Sequence, residues 1–117
     1  MRPIVLIVED NSMLAIHLAE IVEQDLNAES IVTSKVSEAL GAVTGLISLA
    51  LLDIEILEGN SYPVARILIA NHVPMIFVSG NDPETLPDDL KHVPFLAKPY
   101  VDSTLMTLAK SLCHQLG

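Results

Sequence analysis

The chain has 117 residues, half of them hydrophobic, which suits one domain, residues 1–117, with a sizeable core. Aromatic residues make up only 3% and Trp is absent, so that core must be aliphatic. A formal net charge of −9, with six Lys plus Arg and no basic stretch, argues against direct nucleic-acid binding. Pro3 to Glu9 is a continuous apolar run ending in acids, the pattern of a strand covered on both faces. Asn11 or Ser12 can cap the helix that follows, in which Leu14, Leu18, Ile21 and Val22 form one apolar stripe. Asp25-Leu26-Asn27 breaks it. Ile31 to Thr33 reads as a short second strand, and Ser37 as the cap of a helix carrying Leu40 and Val43 and ending near Gly45. Leu49 to Asp53 is a third strand, again apolar until an acid. Glu58-Gly59-Asn60-Ser61 is turn chemistry. Pro63 fits the first turn of a third helix that turns Val64, Ile67 and Leu68 inward. Met75 to Val78 is a fourth strand, closed by Ser79-Gly80-Asn81-Asp82-Pro83. Pro83 and Pro87 leave room only for a short helix, Pro87 to His92, before a fifth strand at Phe95 to Ala97. Tyr100 to Leu116 is the last helix.

Five strands alternating with helices imply a parallel sheet with right-handed crossovers. At this length the expected fold is α/β, a flavodoxin-like doubly wound five-stranded sheet of order 2-1-3-4-5, with a shortened fourth helix. The lone Cys113 excludes an intrachain disulfide. No apolar run approaches the roughly 18 residues of a membrane span, and the short opening run, ending in acids, is not a signal peptide. A soluble, cytoplasmic protein without membrane contact is expected.

Ligands of such sheets bind at the carboxyl ends of the strands. The first strand ends in Glu9-Asp10, the third in Asp53, the fourth in Ser79 and the fifth in Lys98. Three carboxylates on one rim repel each other and call for a raised pKa or a bound cation. Carboxylate oxygens with room for water suit Mg²⁺, which can also polarise a phosphoryl oxygen. An Asp carboxylate is a competent nucleophile for phosphoryl transfer, and Ser79, Lys98 and Mg²⁺ can hold the transferred oxygens.

Val8-Glu9-Asp10-Asn11, Leu51-Leu52-Asp53, Val78-Ser79-Gly80 and Ala97-Lys98-Pro99-Tyr100 resemble, in order and spacing, the signature positions of response-regulator receiver domains. The resemblance covers the whole chain. It implies that Asp53 accepts a phosphoryl group from a histidine of a sensor kinase or histidine phosphotransfer protein. Asp10 would bind Mg²⁺ directly, Glu9 directly or through water, with Asp53 and the backbone carbonyl of Glu55 completing the protein ligands. Ser79 and Lys98 would contact the phosphoryl group, Phe95 would be the switch aromatic, and Lys98-Pro99 a cis peptide. A monomer or weak homodimer that binds a downstream protein is implied, catalysing only its own phosphorylation and dephosphorylation. The sequence departs from the family pattern at Leu57, where many receivers have proline, and in its short turn into the third helix. The Tyr62-Pro63-Val64-Ala65 start of that helix resembles receivers found alone or attached to sensor kinases.

The alternative is a receiver fold that works unphosphorylated as an interaction module. A hydrolase is disfavoured, because Asp53-Ile54-Glu55 lacks the second Asp of haloacid-dehalogenase phosphatases and no Gly-rich P-loop is present. His17, His72, His92 and His114 show no metal spacing and are expected at the surface.

Overall fold

A computed structural model describes residues 2–117. In chain order the elements are β1 (Ile4–Val8), α1 (Ser12–Glu20), β2 (Glu29–Thr33), α2 (Val36–Ala42), β3 (Leu49–Leu52), β4 (Glu55–Ile56), β5 (Gly59–Asn60), α3 (Tyr62–Ala70), β6 (Met75–Ser79), β7 (Phe95–Ala97) and α4 (Asp102–Leu112). The main sheet is parallel throughout, in the order β2-β1-β3-β6-β7. Counting the main-sheet strands alone, this is the flavodoxin-like 2-1-3-4-5 arrangement. β4 and β5 form a separate two-stranded antiparallel ribbon.

The two-residue period of a strand divides its apolar side chains between the two faces of the sheet. Leu6 and Val8 of β1, Ala50 and Leu52 of β3 and Phe77 of β6 pack with Ala39 of α2 and with Val64, Ala65 and Leu68 of α3. Val5 and Ile7, Leu49 and Leu51, and Ile76 and Val78 pack on the other face against Leu18 of α1 and Leu105 and Ala109 of α4. Because both faces are covered, β3 and β6 are buried along their whole length, which explains their unbroken apolar sequence.

Asn11 caps α1, its side chain accepting from the Leu14 amide at 3.1 Å. The helix continues through a π-turn at Ile21–Asp25 and stops where Asn27 takes a left-handed φ of 52°. β2 begins two residues earlier than its apolar residues suggest. Glu29 and Ser30 pair with Ile4 and Val5 through the backbone, and an edge strand needs no apolar side chain for that. α2 begins at Val36, with Lys35 and not Ser37 at its cap position. Between β6 and β7 the shortened fourth helix contracts further, to two 3₁₀ turns, Pro83–Thr85 and Asp88–Leu90, each started by or just after a proline. The last helix is shorter at both ends than its apolar pattern, running from Asp102 to Leu112. No helix among the described residues is long and apolar enough to cross a membrane.

Phe77 is fully buried and meets the Tyr62 ring edge-on, with centroids 6.4 Å apart. It is the largest side chain of the core and joins the central sheet to the start of α3. Phe77→Ala should lower the unfolding free energy by about 3–5 kcal/mol, since it removes buried surface and leaves a cavity. Urea unfolding measures this; a loss below about 1 kcal/mol would show that the site collapses freely.

Candidate functional site

The strand ladder extends past the apolar residues and carries the polar ones into register. The Asp53 amide donates to the Val8 carbonyl at 2.8 Å, and the Glu9 amide to the Thr33 carbonyl at 2.9 Å. The Lys98 amide donates to the Ser79 carbonyl at 2.9 Å, one step beyond the β6–β7 pairing. Glu9, Asp53, Ser79 and Lys98 are thereby fixed along one rim by backbone geometry.

Lys98 holds the rim together. Its Nζ donates to Glu9 Oε1 at 2.6 Å and to Asp53 Oδ2 at 2.9 Å. The remaining oxygens take backbone donors: Glu9 Oε2 accepts from the Asn11 amide at 3.2 Å, and Asp53 Oδ1 from the Ile54 amide at 2.8 Å. Glu9 is only 2% exposed, whereas Asp10 beside it is exposed. One carboxylate oxygen from each of Glu9, Asp10 and Asp53 lies within 4.8 Å of the others. Three carboxylates face one ammonium, so the cluster is short of positive charge. Hard oxygen donors with excess negative charge fit Mg²⁺.

Burial pushes the Glu9 carboxyl above its ordinary range, and the neighbouring Asp53 charge adds to the rise, against the hydrogen bond from Lys98. For Lys98, burial opposes the charged form, but the bonds to Glu9 and Asp53 outweigh it and hold the ammonium above its usual range.

Ser79 is fully buried, and its hydroxyl is engaged with Asn81: it donates to Oδ1 at 3.3 Å and accepts from the Asn81 amide at 3.2 Å. Glu55 is exposed at the start of the ribbon, two residues beyond Asp53. Phe95 is half-buried and packs on the core face shared with α2 and α3. Lys98-Pro99 is cis. The four histidines are exposed, and His17 pairs with Asp102 at 2.9 Å. Asp89 pairs with Arg66 at 2.9 Å, so this acid bridges to α3.

The segment after Asp53 is fastened in a way the sequence reading missed. Ser61 Oγ donates to the Asp53 carbonyl at 2.5 Å. Leu57 exchanges backbone bonds with the approach to α2, donating to the Ser34 carbonyl at 3.2 Å and accepting from the Val36 amide at 3.1 Å. Glu58, at a left-handed φ of 74°, accepts from the Ser37 amide at 2.9 Å and so supplies the cap that α2 lacks from Lys35. The turn residues signalled a bend here, but no local pattern reveals a cap donated from another loop. The Tyr100 hydroxyl, also missed, is buried without a hydrogen-bond partner among the described residues, and burial pushes its pKa up.

No protein-family model matches the chain, and neither does any curated protein sequence. Solved structures do. The solution structure of SdrG from Sphingomonas melonis Fr1 is 28% identical, with a TM-score of 0.80 over 95% of this chain and 96% of that one. A CheY-like response regulator receiver domain protein from Methanospirillum hungatei JF-1 is 18% identical, with a TM-score of 0.82 over 98% and 97%. The receiver domain of sensor histidine kinase PA1611 from Pseudomonas aeruginosa PAO1, with a magnesium ion coordinated in its active-site cleft, is 20% identical, with a TM-score of 0.78 over 96% and 98%. This chain has the CheY-like receiver fold. In it Glu9, Asp10, Asp53 and Lys98 come together, while Ser79 lies on the same rim with its hydroxyl turned to Asn81.

The Glu9 and Lys98 directions each carry a sign for how stability depends on pH. Glu9 binds its proton more tightly folded than unfolded, so its charge costs stability as pH rises from about 4.5, its unfolded value, through the higher folded one. Lys98 contributes fully below about 10.5 and loses its contribution as pH rises through its folded value. Glu9→Gln should therefore raise the urea midpoint at pH 7 and flatten the dependence of stability on pH above 4.5. An unchanged slope in urea titrations across that range would contradict the burial of an ionised Glu9.

Proposed function

We propose that this chain is a phosphoacceptor receiver domain, residues 1–117, of a two-component or phosphorelay system. Asp53 takes a phosphoryl group from a histidine of a sensor kinase or histidine phosphotransfer protein, and the change in charge alters binding of a downstream protein. The observation that carries this reading is Lys98 Nζ at 2.9 Å from Asp53, with Glu9 and Asp10 alongside, at the strand ends of a receiver fold.

An Asp53 carboxylate oxygen forms the bond to phosphorus as the bond from phosphorus to the imidazole nitrogen breaks. The electron pair returns to that nitrogen, which takes up a proton. Glu9, Asp10, Asp53 and the carbonyl of Glu55 would hold Mg²⁺, which neutralises charge on the transferred group and polarises its oxygens. Lys98 already stands beside Asp53 and supplies a positive charge where negative charge gathers. Ser79 is a donor within the same rim, and using it requires its hydroxyl to leave Asn81.

Switching follows from that competition. A phosphoryl group on Asp53 draws Lys98 from Glu9 and Ser79 from Asn81, and movement of the Ser79 segment changes the space beside Phe95, paired with Phe77 in the sheet. Only the difference in interaction energy between the two arrangements shifts their populations. The domain works in the cytoplasm as a monomer or weak homodimer and turns over no separate substrate.

Beryllofluoride with Mg²⁺ imitates the phosphoryl group without covalent chemistry. Amide NMR of the wild type should show changes at Asp53, Ser79 and Lys98 that require both additions and vanish in Asp53→Asn. Lys98→Ala should keep the Mg²⁺-dependent shifts and lose those that spread towards Phe95. A folded wild type that does not respond would favour an interaction module that acts without phosphorylation.

A further inference from the structure

A groove of about 580 Å³ runs along the outer side of α1, between that helix, the end of β2 and the turn of the β4–β5 ribbon. We infer that it is the docking site for a basic amphipathic helix of a partner protein. Its apolar walls are Ile16, Val32 and Leu57, which are 58%, 47% and 54% exposed, well above what the core leaves open. These side chains stand on rigid backbone. Leu57 is held by its two bonds to the approach to α2, and Val32 lies within the β1–β2 ladder. Holding apolar side chains in place before binding reduces the ordering cost that a partner must meet.

The occupant follows from shape and charge. The lining on α1 and its π-turn runs from Ser12 to Glu23, which at 1.5 Å per residue is about 16 Å, three turns of helix. Ala15 and Ala19 face the groove, and such small side chains let a second helix approach closely, ridge into groove. The rim carries Glu20 and Glu23, with Asp10 of the proposed metal site at one end, and no Lys or Arg among the described residues lines the groove. Helix-in-groove recognition with an apolar stripe and flanking Lys or Arg meets all of these features. A second copy of this chain does not: at a net charge of −9 it would set acidic rim against acidic rim.

The test uses a synthetic helix of about four turns, with Leu at i, i+3, i+4 and i+7 and Lys on the flanks, titrated into isotope-labelled protein. Shifts should gather at Ile16, Ala19, Val32 and Leu57. The double variant Ile16→Ser/Leu57→Ser, which leaves the net charge unchanged, should bind about tenfold more weakly or worse. Its substituted side chains are exposed, so its amide spectrum away from the groove should match the wild type. The same peptide with every Lys replaced by Glu should not bind at matching concentration. Equal affinity for the double variant, or shifts centred elsewhere on the acidic surface, would overturn the inference. So would dimerisation of the free protein through these residues, detected by light scattering and lost in the double variant.

Discussion

The contact on which the site depends is the Lys98 ammonium, shared between Glu9 and Asp53 at 2.6 and 2.9 Å. Two carboxylates at the ends of adjacent parallel strands would repel each other, and Glu9 is buried where water cannot screen it. The sheet order places β7 next to β6 and brings Lys98 to the rim from 89 residues away in sequence. Removing that ammonium leaves a buried charge unpaired, which costs far more than the net worth of the pair. The compensation is incomplete, because Asp10 adds a third carboxylate. The rim remains deficient in positive charge, the condition for taking up a cation.

The same arrangement explains how a small covalent change could be felt at a distance. Lys98 and Ser79 each already have partners, Glu9 and Asp53 for one, Asn81 for the other. New acceptor oxygens at Asp53 would compete for groups that are in place and bonded, so the response is an exchange of partners. Such an exchange transmits little unless the surroundings are firm. The segment after Asp53 is firm: Ser61 holds the Asp53 carbonyl, Leu57 is bonded to the approach to α2, and Glu58 caps α2. Between β6 and β7, by contrast, two 3₁₀ turns stand where a fourth helix would.

What was legible in the sequence was what burial dictates. β1, β3 and β6 are covered on both faces and show as unbroken apolar runs, and Phe95 to Ala97 appears at its observed bounds. The rim acids and Lys98 were visible because each polar residue closes such a run. Edge and loop structure was less legible. β2 starts with Glu29 and Ser30 because an edge strand is held by its backbone, and the last helix loses Tyr100 and Val101 before it starts, next to Pro99. The ribbon at Glu55–Asn60 and the capping of α2 by Glu58 depend on contacts between distant segments. Ser79 was placed on the rim, but its bond to Asn81 is a rotamer choice on which composition and spacing are silent.

The most direct measurement is intact mass after incubation with acetyl phosphate, with and without Mg²⁺, for the wild type and for Asp53→Asn. The wild type should gain the mass of one phosphoryl group only when Mg²⁺ is present, and the variant should gain none while remaining folded. Equal labelling of the folded variant, or labelling of the wild type that is indifferent to Mg²⁺, would contradict the assignment of Asp53 and its acidic neighbours as a metal-assisted phosphoacceptor site.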